Sequence, residues 1–129
     1  MKVLQPPGWT APRGYANGVA VSGLQIFVAG QIGWNAQCQF ESDDLVAQVR
    51  QALLNVRAVL AEAEASPEHI VRMTWYLTDK REYLARGREI GAAYREVIGS
   101  YSVAMSAVQV AALMEDRAKV EIEVTAVRP

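Results

Sequence analysis

The sequence is poor in the residues that build disulfide frameworks and zinc sites: its 129 residues hold one cysteine, Cys38, and one histidine, His69. A single thiol excludes an internal disulfide, and one Cys with one His leaves no zinc set. A Ser–His–Asp triad would have to use His69, and nothing in the sequence around it points that way. Excess charge of either sign is also missing, with 13 basic and 14 acidic side chains and a net charge of −1. General affinity for nucleic acid needs a basic footprint, so nucleic acid is not an expected partner. Uninterrupted apolar runs are lacking too. Residues 14–40 and 97–114 carry no charge, but the first stretch is broken by Gly14, Asn17, Gly18, Ser22, Gly23, Gln25, Gly30, Gln31, Gly33 and Asn35. A bilayer span wants about 20 predominantly apolar residues, and Met1 to Pro7 has no signal-peptide core. The expectation is a soluble, cytoplasmic protein with no membrane partner.

What is present fits one globular domain over residues 1–129. Half the side chains are apolar (51%) and 21% are charged, which argues against disorder. A chain of this size buries roughly 65–70% of its unfolded surface. Pro6, Pro7, Gly8 and Pro12 make residues 1–13 an extended N-terminal arm. Gly18–Gly23 and Gln25–Gly30 read as two short strands joined at Ser22–Gly23, a hairpin signal. Leu45, Val49, Ala52, Leu53, Val56, Val59, Leu60 and Ala63 then recur at helical spacing. Ser42 or Asp43 is the expected N-cap, with Asp44 at the positive end of the dipole and Ser66–Pro67 as the stop.

His69 to Leu77 is β-rich, with Val71, Met73, Trp75 and Leu77 on one side and Ile70, Arg72, Thr74 and Tyr76 on the other. Glu82 to Ile98 reads as a second helix, in which Gly87 and Gly91 each cost about 1 kcal/mol relative to alanine and mark a close approach or a break. Val103–Val110 and Ala118–Val127 close the chain as strands, the last alternating strictly. The order β-β-α-β-α-β-β predicts an α+β domain: one mixed sheet with two helices on one face. Yet Ile26, Val28 and Ile32 face Phe27 and Ala29 across one strand, so both sheet faces carry apolar residues. The second face needs a cover, and a neighbouring subunit would supply it.

Several segments carry a family resemblance. Gly14–Tyr15, Phe27–Ile32, Thr74–Asp79, Ser106–Val110 and Val120–Glu123 resemble the Rid family (RidA/YjgF, enamine/imine deaminases), collinearly from about residue 11. The resemblance implies a chorismate-mutase-like fold and a homotrimer with ligand clefts between subunits. It also implies hydrolysis of reactive imines to a carbonyl product and ammonia, without metal or organic cofactor. Family members grip the substrate carboxylate with an arginine, whose position here is Met105. The family's cysteine two residues on is Ala107, its serine before Gly-Gln-Ile is Ala29, and its asparagine before the helix tyrosine Tyr94 is Gly91. Tyr15 and Glu121 match the family's tyrosine and water-activating acid. Gly30 and Trp34 are further candidates for the ligand site.

These departures make the expected cleft roomier and more apolar. Losing charge-assisted hydrogen bonds of the arginine kind costs about 1.5–3 kcal/mol each, and methionine suits an irregular or aromatic ligand. The expected substrate is therefore a less acidic or more aromatic imine, with Glu121 and Tyr15 as catalytic candidates. Arg81, Arg86, Arg88 and Arg95 read as a solvated helix face, able to replace the missing arginine only if one of them faces the cleft. A catalytically inactive trimer that binds an apolar or aromatic small molecule is the alternative. An endoribonuclease or translation inhibitor ranks last because no basic stripe is visible.

Overall fold

In the computed structural model, which describes residues 1–100 and 103–129, nine strands and helices follow one another along the chain. They are β1 (Lys2–Leu4), β2 (Gly18–Ala20), β3 (Leu24–Ile32), α1 (Leu45–Glu62), β4 (Ile70–Leu77), α2 (Lys80–Ala85), α3 (Gly87–Val97), β5 (Ala104–Gln109) and β6 (Val120–Arg128). The main sheet has the order β3-β6-β4-β5, antiparallel except for the parallel pair β4–β5. Helix α1 lies over β3 and β6, and α3 packs against α1. This is the expected α+β layering, a mixed sheet with its main helices on one face.

The alternation of β6 decides which side is the core. Val120, Ile122, Val124 and Ala126 are all buried, and register carries their face across the sheet. Val124, Met73 and Met105 form one rung, and Ile122, Trp75 and Ala107 the next. Glu121, Tyr76 and Val108 point the other way, as do Glu123, Thr74 and Ser106. Phe27, paired with Thr125, shares that outer face and is 72% exposed.

Five expectations are corrected. The hairpin does not form: β2 pairs with β1 in a separate two-stranded sheet, and β3 pairs with β6. Strands β3 and β6 are both nine residues long, so their pairing satisfies far more backbone than a three-residue strand could. Gly23, at φ 150, is where the chain passes over the end of β6, and a Cβ there would lie 2.5 Å from the Arg128 carbonyl oxygen.

In β4 a register shift between Ile70 and Arg72 turns Ile70 into the core with Met73, Trp75 and Leu77, against the simple alternation. The cap of α1 is Asp44 itself, whose carboxylate accepts from Ala47 N–H. The helix ends at Glu62, before Ser66–Pro67, because Glu64 adopts the left-handed conformation (φ 54) that terminates helices. Finally, the second helix is two. Asp79 caps α2 by accepting from Arg81 and Glu82 N–H, Arg86 leaves helical geometry, and Gly87 opens α3.

Arg86 fastens that break to the rest of the molecule. Its guanidinium donates to Asp44 at 3.0 Å and to Glu89 at 2.7 Å, joining the α2–α3 junction to the start of α1. One interior anchor escaped the sequence reading. Gln48 is buried and saturated, donating to the Ser42 and Arg117 carbonyls and accepting from Lys119 N–H. His69 is structural: its Nδ1 accepts from Ser66 N–H at 3.1 Å in a reciprocal cap.

Candidate functional site

The residues that position the site lie where β5, the edge strand, meets the α2–α3 break. Ala16 N–H donates to the Val103 carbonyl and Ala16 bridges to Ala104, which seats the preceding Pro12–Tyr15 segment beside Met105. Across from it lie α2 and α3, with their break at Arg86. The result is a cavity of about 820 Å³, within the usual range for small-molecule sites.

Its floor is Trp75, Met105 and Ala107, and its walls include Tyr83, Leu84, Ile90, Gly91 and Tyr94. Pro12 to Tyr15 rim one side, and Arg95, Gly99 and Ser100 the other. Trp75 organises the aromatic wall, with ring centroids 6.2 Å from Tyr83 (edge-on) and 6.4 Å from Tyr94. Burial pushes the Tyr94 hydroxyl up to about 12 and raises that of Tyr83. Both therefore stay protonated at neutral pH and act as neutral hydrogen-bonding groups. The buried Trp75 Nε1–H has no partner among the described residues.

The lining is lopsided in charge. Among the described residues it contains Arg13 and Arg95 and no Asp or Glu. Neither arginine is in an ion pair among the described residues, whereas Arg50, Arg86 and Arg117 each hold a carboxylate.

Of the candidates named from sequence, Tyr15, Gly91, Tyr94, Met105 and Ala107 meet in this cavity. The others do not line it. Glu121 projects from the opposite face of the sheet, beside Gly30, where an added Cβ would stand 2.6 Å from Glu121 Oε2. The shift of register between Val28 and Gln31 brings Ala29 and Gly30 opposite Glu123 and creates that close approach. Trp34 packs on Phe40, 5.9 Å between centroids, with its carbonyl held by Asn55. Tyr83 and Arg13 were missed as wall residues. Arg95 was legible only as a condition, since spacing alone does not say which way a helix arginine folds. Among the described residues no group of His, Cys, Asp and Glu converges as a metal site, and no helix is long and apolar enough to cross a membrane.

A mixed sheet carrying its helices on one face, with a ligand-sized cavity between the edge strand and a broken helix, defines an α+β domain. The family described as Endoribonuclease L-PSP matches residues 9–128. A RutC family protein of Aquifex aeolicus is 33% identical over 99% of this chain and all of its own length. The putative reactive intermediate deaminase TdcF of Escherichia coli is 34% identical over 99% of this chain and 95% of its own. Among solved structures, the Rid family protein YyfB of Yersinia pestis superposes with a TM-score of 0.83 at 33% identity, covering 98% of both chains. A crystal structure of E. coli TdcF with bound serine aligns over the full length of both chains, with a TM-score of 0.71 and 32% identity. The chain belongs to the Rid (Ribonuc_L-PSP) family.

Proposed function

We propose that the protein hydrolyses a reactive imine or enamine to a carbonyl compound and ammonia, in the cavity over Met105. The observation that carries this reading is convergence. Five positions picked out by the family resemblance (15, 91, 94, 105 and 107) come from separate stretches of chain and meet around one space of ligand size. The similarity to TdcF, a putative reactive intermediate deaminase crystallised with serine, supports an amino-acid-derived substrate. With Met105, Ala107 and Gly91 where the family resemblance expects polar side chains, the substrate is less acidic or more aromatic than a small aliphatic imine. Trp75, Tyr83 and Tyr94 supply the flat wall for it.

The chemistry needs water activated next to the C=N carbon. Water adds to that carbon while a proton reaches the nitrogen; the carbinolamine then expels ammonia and leaves C=O. Glu121 relays the proton in both steps: as carboxylate it takes one from the attacking water and delivers it to the nitrogen, then it passes the carbinolamine hydroxyl proton to the departing amine. It stands on the other sheet face from its own cavity, so the Glu121 that serves a cavity comes from a neighbouring copy. The uncovered outer face, with Phe27 72% and Val108 45% exposed, supports this homotrimeric assembly. No cofactor enters the reaction, and the cytoplasm is the expected compartment.

A catalytically inactive binding trimer is the second reading, favoured by Met105 in the gripping position. Endoribonuclease action, the description under which the family is matched, fits less well, because Arg50, Arg86 and Arg117 are ion-paired and the net charge is −1. The test measures ammonia release from imines generated in situ from aliphatic and aromatic amino acids. Release above the uncatalysed rate, falling about 100-fold or more in Glu121→Gln, is expected. No release with any imine, alongside saturable binding of an aromatic ligand, would establish the binding reading instead.

A further inference from the structure

Arg95 occupies the last turn of α3, where a cation ordinarily complements the helix dipole and extends into solvent. Here Arg95 is exposed and at the same time lines the rim of the cavity. Its guanidinium lies back along the helix toward Gly91, one turn earlier, and Nη1 sits 3.3 Å from where a Cβ on residue 91 would stand. Residues four apart share a helix face, so a side chain at 91 would crowd the position the guanidinium takes. A mid-helix glycine costs about 1 kcal/mol relative to alanine. What α3 gains from this one is room for Arg95 against the cavity wall.

We infer that Arg95 is the anion-gripping residue of this cavity and that its ligand is an aromatic carboxylate. Position 105 on the strand floor offers no donor, so the charge reaches the ligand from the helix side. Three observations agree with this. The lining carries two arginines, Arg13 and Arg95, and no acid. Neither is neutralised by a carboxylate of the described residues. Trp75, a lining residue, holds a buried Nε1–H without an acceptor among the described residues, and such a group gains from any acceptor that reaches it. A guanidinium offers parallel N–H groups that match the two oxygens of a carboxylate, while Met105 and the Trp75–Tyr83–Tyr94 wall take an apolar, flat body. Of the two alternatives for the substrate, less acidic or more aromatic, this selects the aromatic one and keeps the acid. The inference rests on the proposed function for its site, but its test reads binding and not turnover.

The experiment titrates the full chain by calorimetry at low salt with indole-3-acetate, its neutral isostere indole-3-acetamide and the matching indol-3-ylmethylphosphonate. Wild type is expected to bind the carboxylate at least about tenfold tighter than the amide, a difference of the size charge-assisted hydrogen bonds confer. Arg95→Gln is expected to erase that preference, while Arg95→Lys retains part of it. Equal affinity for acid and amide, no binding of either, or a preference unmoved in Arg95→Gln overturns the inference. Tighter binding of the phosphonate than of the carboxylate overturns the ligand class. Arg95-dependent acid binding without ammonia release from any imine defeats the deaminase reading alone; ammonia release without acid preference defeats this inference alone.

Discussion

Met105 and Glu121 stand on opposite faces of the same sheet. Met105 shares a rung with Met73 and Val124 over the core, while Glu121 is aligned with Tyr76 on the outer face. One chain therefore does not bring the two side chains together itself, and the proposed reaction, which uses both, calls for a second copy.

That relationship predicts complementation between inactive variants. Ala107→Trp fills the cavity and Glu121→Gln removes the acid, so each alone is expected to be inactive. Subunits of the two variants, unfolded and refolded together in equal amounts, pair an intact cavity with an intact Glu121 in about a quarter of random interfaces. Ammonia release at about that fraction of wild type is the expected outcome. No recovery, with mixed assemblies confirmed by native mass spectrometry, would place cavity and acid in one subunit.

Assembly itself is expected to depend on the outer face. Phe27 is 72% exposed in the single chain and contributes nothing to its core, so Phe27→Glu is expected to leave the fold intact. A charge buried between subunits without a partner costs several kcal/mol. Sedimentation velocity is expected to show a trimer for wild type and a monomer for the variant, with unchanged circular dichroism. A wild-type monomer would refute the assembly.

The contact between Gly30 and Glu121 predicts a variant that separates activity from stability. In Gly30→Ala the new methyl would stand 2.6 Å from Glu121 Oε2 and 2.7 Å from its Cδ, so the carboxylate must swing aside. Both groups lie at the outer surface, and overpacking that a flexible side chain relieves is expected to cost about 1 kcal/mol or less. A misplaced acid loses far more: kcat is expected to fall about tenfold or more, with little change in Tm. Unchanged kcat would remove Glu121 from the chemistry.

Asp44 ties acid sensitivity to the cavity wall. Its hydrogen bond from Ala47 N–H, then that from Arg86, hold its carboxyl below the usual 3.8. A group with a depressed folded pKa contributes stability that is present above its unfolded value and is lost as pH falls through the folded one. Wild type is therefore expected to lose stability below about pH 4 more steeply than Asp44→Asn, which keeps the cap but not the charge. Asp44→Ala, which loses both, is expected to cost about 1 kcal/mol at neutral pH. Chemical denaturation across pH 2.5–7 (a range spanning the carboxylate pKa values) reads the slopes, and parallel curves for wild type and Asp44→Asn would contradict the assignment.

Much of this architecture was legible from periodicity. The stripe from Leu45 to Leu60 became α1, and the strict alternation of the last strand became β6, one of the two inner strands of the sheet. Both signals are local, because a repeat of side chains along one element states which face is apolar without reference to a partner. The collinear family segments likewise brought residues 15, 91, 94, 105 and 107 forward as a set.

The tertiary structure decided what local pattern leaves degenerate. Pairing is one such choice: Gly18–Ala20 fits the arm and the neighbouring strand equally by composition, and only the nine-residue match of β3 with β6 separates them. Single-residue register is another, since one extra residue at Val71 or at Ala29–Gly30 moves side chains between faces without altering composition. The last is the direction of a long side chain. Arg95 reads as one of four helix arginines until the fold sets Gly91 beneath it and an acid-free cavity beside it. Electrostatic environment is a property of everything within a Debye length, and neighbours brought together by folding are not neighbours along the chain.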